Sequence, residues 1–283
     1  MKIYPLNTGN FKLDGGAMFG VVPKSIWSKT NVPDENNMCS WAMRAMLIED
    51  GNRLMIIDTG IGDKQSEKFF SFYYLFGNDS LIGNLKKYGF SPDDVTDVFL
   101  THLHFDHCGG AIQRIGEDRF EPVFKNATYW SNSNHWKWAT QPNAREKASF
   151  LAENILPIQE SGQLRFIPRN GDFMENAMPN IDVLFVDGHT ESQMLPHIHY
   201  KDKTIVFMAD LLPSIGHIPL PYVMGYDTRP LLTLGEKEKF LRKAVDENYI
   251  LFLEHDAENE CCVLKETEKG IRLDYTAKLD ELI

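Results

Sequence analysis

The sequence is poor in cysteine, in positive charge and in long apolar runs. Its 283 residues include 4 cysteines, Cys39, Cys108, Cys261 and Cys262. The last two are adjacent and no pair has Cys-x-x-Cys spacing, so neither a disulfide framework nor a thiolate metal knuckle is encoded. Lys and Arg number 29 against 40 Asp and Glu, for a formal net charge of -11. A nucleic-acid binder needs a basic stripe to neutralise phosphates, and this balance argues against one. No apolar run is long enough to span a bilayer, and the opening Met1-Lys2-Ile3-Tyr4-Pro5-Leu6 lacks the apolar segment of a signal peptide. No Ser/Gly/Pro-rich linker, low-complexity tract or short-period repeat divides the chain. With 43% hydrophobic residues, a substantial core is available. The expectation is a single domain over 1–283, cytoplasmic, acting on a small molecule without nucleic-acid or membrane partners.

What is present is concentrated in Thr101-His102-Leu103-His104-Phe105-Asp106-His107-Cys108-Gly109-Gly110. His102, His104, Asp106 and His107 put four metal-binding side chains into six positions. The segment leaves a short β-rich stretch, Val95 to Leu100, that follows the turn signal Ser91-Pro92-Asp93-Asp94. In extended or loop backbone, residues two apart project to one side, so His102 and His104 can close on one ion. Asp106 and His107, as neighbours, are expected to point apart and to serve a second ion. A helical metalloprotease site would instead space its histidines four apart. An isolated His is usually an ordinary surface residue; this density of ligands at this spacing points to a two-metal site on a loop. Cys108 is expected to be a small buried filler, and Gly109-Gly110 a tight turn into a helix.

The pattern resembles the H-x-H-x-D-H signature of the metallo-β-lactamase-fold hydrolases. Candidates for three further ligands follow apolar strand-like runs: His189 in Val186-Asp187-Gly188-His189-Thr190, Asp210 in Val206-Phe207-Met208-Ala209-Asp210, and His255 in Phe252-Leu253-Glu254-His255. The resemblance covers about Met46 to His255. It implies an α/β fold, a four-layer αββα sandwich of two mixed β-sheets flanked by helices. It also implies that His102, His104 and His189 hold one divalent ion and Asp106, His107 and His255 the other, with Asp210 bridging both. Two ions about 3.5–4 Å apart share a water and lower its pKa toward about 7, which makes hydroxide the nucleophile; Asp106 and Asp210 are then catalytic as well as ligating. Zinc suits the His-rich set best, with iron or manganese as alternatives. Asp58, in the family-like Asp58-Thr59-Gly60, is expected to accept a hydrogen bond from a ligand His.

The family contains lactonases, thioesterases, β-lactamases, phosphoesterases and organophosphate hydrolases. N-acyl homoserine lactonases carry a catalytic Tyr three positions after the bridging Asp, where this chain has Pro213. Ala209 to Pro213, His217, Tyr226-Asp227 and Glu153 to Ile158 look closer to the methyl parathion hydrolase branch. Gly188-His189-Thr190-Glu191-Ser192-Gln193 keeps the ligand of the common Gly-His-Thr-Pro-Gly-His element but changes its loop. The expected function is hydrolysis of a small apolar ester, lactone or phosphotriester. His217 or Tyr226 is expected to bind substrate or protonate the leaving group, held in an irregular stretch by Pro213, Pro219 and Pro221; a polar loop residue without a role is an equal reading of His217. The alternatives are a redox member of the fold, an iron-dependent dioxygenase-like protein, a thioesterase of glyoxalase II type, or a non-catalytic binding protein. The filled ligand positions disfavour the last. The diiron flavoprotein branch has Glu where His104 stands and needs a flavin domain that this chain lacks.

Periodicity and turn signals predict a hairpin of Trp41–Glu49 and Arg53–Asp58 about Asp50-Gly51-Asn52. Helices are expected over Asp63–Phe76, Asn143–Leu156 and Gly235–Glu247, and strands over Val183–Val186, Thr204–Met208 and Ile250–Leu253. About half of the rings in Phe69 to Phe76 are expected in the core, the rest facing a pocket, a partner or a second copy in a homodimer. Trp130, Trp136 and Trp138 are equally ambiguous, and His135 is expected at the surface.

Overall fold

Asp50-Gly51-Asn52 is a turn signal, and the chain reverses there. In the computed structural model, which describes residues 1–283, this region comprises β1 (Lys2–Asp14), β2 (Met38–Asp50) and β3 (Arg53–Ile57). Asp50 pairs with Arg53, and Gly51 supplies a φ of 62°, the positive value that two-residue hairpin loops favour. There follow β4 (Asp97–Phe99), a separate hairpin of β5 (Ile112–Gly116) and β6 (Arg119–Pro122), then β7 (Thr128–Ser131) and β8 (Leu164–Phe166). The first sheet runs β1-β2-β3-β4-β7-β8. β3, β4, β7 and β8 are parallel, so they all end on one side. Strands covered on both faces are continuously apolar; Leu54-Met55-Ile56-Ile57 and Val98-Phe99-Leu100 are all buried.

The second sheet contains β9 (Phe173–Met178), β10 (Ile181–Val186), β11 (Gln193–Tyr200), β12 (Lys203–Phe207), β13 (Ile250–Phe252), β14 (Cys261–Thr267) and β15 (Gly270–Ala277). Its order is β15-β14-β13-β12-β11-β10-β9. Only β12 and β13 are parallel, because the helix Pro230–Asp246 lies in the connection between them and a parallel pair needs such a crossover. Both sheets are mixed, in an α/β fold. The chain divides into two compact units, Met1–Phe11 with Met43–Arg169 and Lys12–Ala42 with Asn170–Ile283. The first has an apolar cluster that includes Leu47, Ile56, Val98 and Phe124. The second has one that includes Leu195, Val206, Leu241 and Leu251. No helix is long and apolar enough to cross a membrane.

Several local expectations are corrected. Gly109-Gly110 leads through a 3-10 turn into β5, not into a helix. These glycines are set by close backbone packing: a Cβ on Gly109 would lie 2.2 Å from the Ile61 carbonyl oxygen, and one on Gly110 2.2 Å from that of Thr59. The helix expected over 63–76 shrinks to Glu67–Ser71, capped by the Ser66 hydroxyl, because consecutive rings point all around a helix and cannot share one buried face. No ring between 69 and 76 is fully buried, and Phe72 is 60% exposed. Phe69 and Tyr73 instead pack on Phe105, with ring centres 5.3 and 4.7 Å away. The helix expected over 143–156 begins only at Ala152 and runs to Glu160; the one expected over 235–247 begins earlier, at Pro230, where proline suits the first turn. His135 is 0% exposed, and its Nε2 accepts the Leu103 N–H at 2.8 Å.

Candidate metal centre

In the first unit, parallel pairing of β3 with β4, with Ile57 opposite Phe99, sets the segments that follow these strands side by side. Asp58 adopts a φ of 55°, left-handed backbone that Asp tolerates better than most residues. Its carboxylate accepts the Thr101 N–H at 2.8 Å and the Thr101 hydroxyl at 2.6 Å, and faces His107 Nδ1 at 3.1 Å. A carboxylate can only accept, so His107 is protonated on Nδ1 and offers Nε2 to a cation. Asp58 thus stands where the sequence placed it. His102 Nδ1 lies 3.1 Å from the Thr101 oxygen, and His102 Nε2 lies 3.0 Å from His104 Nδ1. Two ligands each about 2.0–2.1 Å from one ion, at the angles of ordinary coordination, stand about 2.9–3.4 Å apart, so this spacing fits a shared cation.

Asp106 and His107 belong to the short helix Phe105–Cys108, not to extended chain. Helical neighbours are about 100° apart rather than opposed, and Asp106 Oδ2 comes within 3.8 Å of His107 Nε2; the expectation that they point apart is corrected. The segment is tied down by Thr59, whose N–H and hydroxyl both donate to the His107 carbonyl, at 2.7 and 2.9 Å. Burial pushes the Cys108 thiol up to about 12, and it donates to the Leu103 carbonyl at 3.3 Å, in keeping with a filler.

In the second unit, three separate strand ends supply the donors. His189 follows β10, Asp210 follows β12 and His255 follows β13. Parallel pairing with Phe207 opposite Phe252 brings the last two together. Asp210 Oδ2 lies 2.9 Å from His189 Nε2, and Asp210 Oδ1 lies 3.0 Å from His255 Nε2. One carboxylate therefore faces two rings, one oxygen to each. The opposite nitrogens are also engaged: His189 Nδ1 is 2.9 Å from Asp227 Oδ1, and His255 Nδ1 donates to the Ala42 carbonyl at 2.8 Å. Burial opposes charge on His189, but the carboxylates of Asp210 and Asp227 outweigh it and raise its pKa to about 10. The array thus stabilises positive charge between His189 and Asp210, the property a cation site requires. Ala209 has a φ of 40°, strained backbone for a residue with a Cβ, at the turn that presents Asp210.

All seven expected ligands are buried, and the donors are imidazole and carboxylate without thiolate. This chemistry fits zinc and also iron or manganese. The two further candidates part company. His217 is 1% exposed; its Nδ1 is 2.9 Å from the Ser214 hydroxyl, its Nε2 donates to the Met18 carbonyl at 2.9 Å, and its ring stacks on Phe19 at 4.4 Å. Burial pushes its pKa down to about 3, so the ring is neutral and both nitrogens are occupied by packing partners. Tyr226, by contrast, is 41% exposed. Sequence reasoning missed the orienting contact of Asp227, which it noted only as part of a branch resemblance. It also missed Glu146, which is 3% exposed and 3.7 Å from His104 Nε2, and the Ala42 carbonyl, a backbone atom with no residue-type signal.

Residues 44–255 match the model of the metallo-beta-lactamase superfamily. The N-acyl homoserine lactonase AiiA of Bacillus thuringiensis subsp. kurstaki is 24% identical over 227 residues, covering 76% of this chain and 81% of the relative. A solved structure described as a probable metal-dependent hydrolase from Staphylococcus aureus superposes with a TM-score of 0.87 at 30% identity, covering 100% of this chain and 98% of that one. AidC, a dizinc quorum-quenching lactonase solved with the product N-hexanoyl-L-homoserine, gives a TM-score of 0.75 at 19% identity, with coverage of 98% and 95%. With its family match running from Arg44 in β2 to His255, the last His of the second ligand set, this chain belongs to the metallo-beta-lactamase superfamily and is a metal-dependent hydrolase.

Proposed function

We propose that the two ligand sets act together as a binuclear centre that hydrolyses a small apolar ester or lactone, and that the two units are halves of one domain. The residues that would hold one ion are His102, His104, His189 and Asp210, and those that would hold the other are Asp106, His107 and His255; Asp210 would serve both. The observation that carries this reading is that each Asp210 oxygen faces a different histidine, at 2.9 and 3.0 Å, the arrangement a bridging carboxylate needs. The single-domain reading is supported by a family match that runs through both units.

Bound there, the ions supply a water acidified toward a pKa of about 7 and Lewis acidity for a substrate oxygen. The chain's own residues determine what is offered to them. Asp58, Asp227 and the Ala42 carbonyl decide which ring nitrogen of His107, His189 and His255 is presented. Burial of the donors keeps bulk water from screening them. Tyr226, the accessible member of the expected pair, is the side chain proposed to hydrogen-bond substrate or leaving group. The lactonase relatives make lactones, including N-acyl homoserine lactones, the first class to assay; aryl esters, thioesters and phosphotriesters follow, because Pro213 occupies the position of the lactonase Tyr.

The test is turnover of that panel by zinc-reconstituted protein under strict anaerobiosis. Hydrolysis without oxygen, reductant or flavin is the expected result, since zinc is redox-inert. Activity found only with iron and accompanied by oxygen uptake would replace the hydrolytic reading with the redox one.

A further inference from the structure

The helix Pro230–Asp246 buries Thr233, Lys237, Phe240, Leu241 and Ala244, a helical stripe with a lysine in its middle. Lys237 is 1% exposed. An unpartnered buried ammonium costs several kcal/mol, but this one spends its donors on the carbonyls of Tyr222 at 2.7 Å, His217 at 3.0 Å and Pro219 at 3.3 Å. Its neighbour Glu236 does the converse: its two carboxylate oxygens accept the N–H groups of Asp187 at 2.7 Å and Gly188 at 3.0 Å. Those amides immediately precede His189. The helix reaches them because Gly188 has no side chain; a Cβ there would lie 2.3 Å from the Thr233 nitrogen. The loop that Lys237 holds runs on to Asp227, the carboxylate that orients His189. Beyond it, the Thr228 and Arg229 N–H groups donate to the carbonyls of His189 at 3.2 Å and Gly188 at 2.9 Å.

We propose that Glu236 and Lys237 are positioning residues, a two-residue brace of opposite charges on one helix that sets the place of His189. Glu236 fixes the backbone from which His189 projects. Lys237 fixes the loop that carries its hydrogen-bond partner Asp227. The proposal rests on the functional reading above for its consequence, metal retention, but its geometric content is independent of it.

Glu236→Gln keeps the side-chain shape and turns one accepting oxygen into a donor that opposes a backbone N–H. Lys237→Met removes the donors and keeps the apolar stem. Glu238→Gln, whose parent residue pairs with Arg242 in solvent at 3.5 Å, is the control on the same helix. Zinc retention is measured against graded chelator, with hydrogen exchange at the Asp187 and Gly188 amides and Tm alongside. The expected result is roughly 10–100-fold weaker zinc retention in both variants, faster exchange at 187 and 188 in Glu236→Gln, and no change in the control. Variants that lose Tm but retain zinc as well as the control would overturn the proposal, since the pair would then stabilise the fold alone. If either substitution prevents folding, Glu236→Asp, whose shorter side chain cannot span both amides, is read by the same criteria. Wild-type protein that takes up no metal would defeat the functional reading instead. The brace would then be decided by the His189 Nδ1–H resonance, which should shift in both variants and not in the control; an unmoved resonance would overturn it.

Discussion

The first unit carries its expected ligands on one short segment, whereas the second presents its three from the ends of three strands. In the first, position along the chain does most of the gathering. His102 and His104 meet at 3.0 Å within two residues of each other, and Asp58 need only anchor Thr101 and His107. In the second, nothing local brings His189, Asp210 and His255 together. That set depends on the parallel β12 and β13, on Asp227 and on the Ala42 carbonyl, 213 residues from His255. A contiguous ligand set tolerates shifts of the strands beneath it; a dispersed one inherits every such shift. Support should therefore matter more to metal retention in the second unit.

The largest test of this contrast is Asp210→Asn. One side chain faces both histidines of the dispersed set, so both ions should be lost together, metal content should fall from about two per chain, and turnover should drop by roughly a thousandfold or more, as expected when several kcal/mol of charge stabilisation is removed. Loss of a single ion would show that Asp210 does not bridge.

Next come the two orienting carboxylates compared directly. Both substitutions should weaken metal retention within roughly 10–100-fold, Asp227→Asn toward the upper end and Asp58→Asn toward the lower. They should differ in stability. Both carboxylates are buried, but Asp58 receives two hydrogen bonds from Thr101, at 2.8 and 2.6 Å, whereas Asp227 accepts the Met224 N–H at 3.1 Å, so Asp58→Asn should lower Tm somewhat more. Equal Tm losses with equal retention would erase the distinction between the two sets.

Acid offers a test of the second unit itself. His197, 2% exposed, donates from Nδ1 to the Leu195 carbonyl at 3.1 Å among Phe173, Phe240 and Tyr249, and burial pushes its pKa down to about 4. In the unfolded chain it titrates near 6.5, so the unfolded state takes up the proton first. The stability contribution of neutral His197 is complete above about pH 6.5 and is lost as pH falls toward 4, about 2 kcal/mol of it by pH 5. Urea unfolding at pH 7 and pH 5 should show that loss in the parent chain and a smaller one in His197→Leu; identical pH dependence would mean that other groups govern acid stability.

The smallest expected effect is that of Tyr226→Phe. Loss of one accessible hydrogen bond, worth about 1 kcal/mol, should lower kcat/KM by about tenfold or less, with metal content unchanged. No change on the best substrate would remove Tyr226 from the site.

Local chemistry in the sequence was enough to indicate the hairpin about Gly51, three of the seven strands of the second sheet and the His102–His107 ligand cluster, because turn residues, apolar runs and ligand spacing act over a few positions; the α/β class and the three later ligands came from the family resemblance. The family-like Asp58-Thr59-Gly60 also pointed to Asp58, which immediately follows β3, while His102 lies three residues past β4. The tertiary structure alone decided how those donors are held. A backbone carbonyl such as that of Ala42 has no residue-type signature. Asp227 becomes an orienting group only when its loop folds back on His189. His135 and His217 are indistinguishable from exposed histidines until packing buries them and occupies their ring nitrogens. The rings from Phe69 to Phe76 suggested a long helix, yet only Glu67–Ser71 is helical, since no single face could cover them. Ligand identity is a property of side chains, whereas orientation, burial and charge balance depend on distances between segments far apart in the chain.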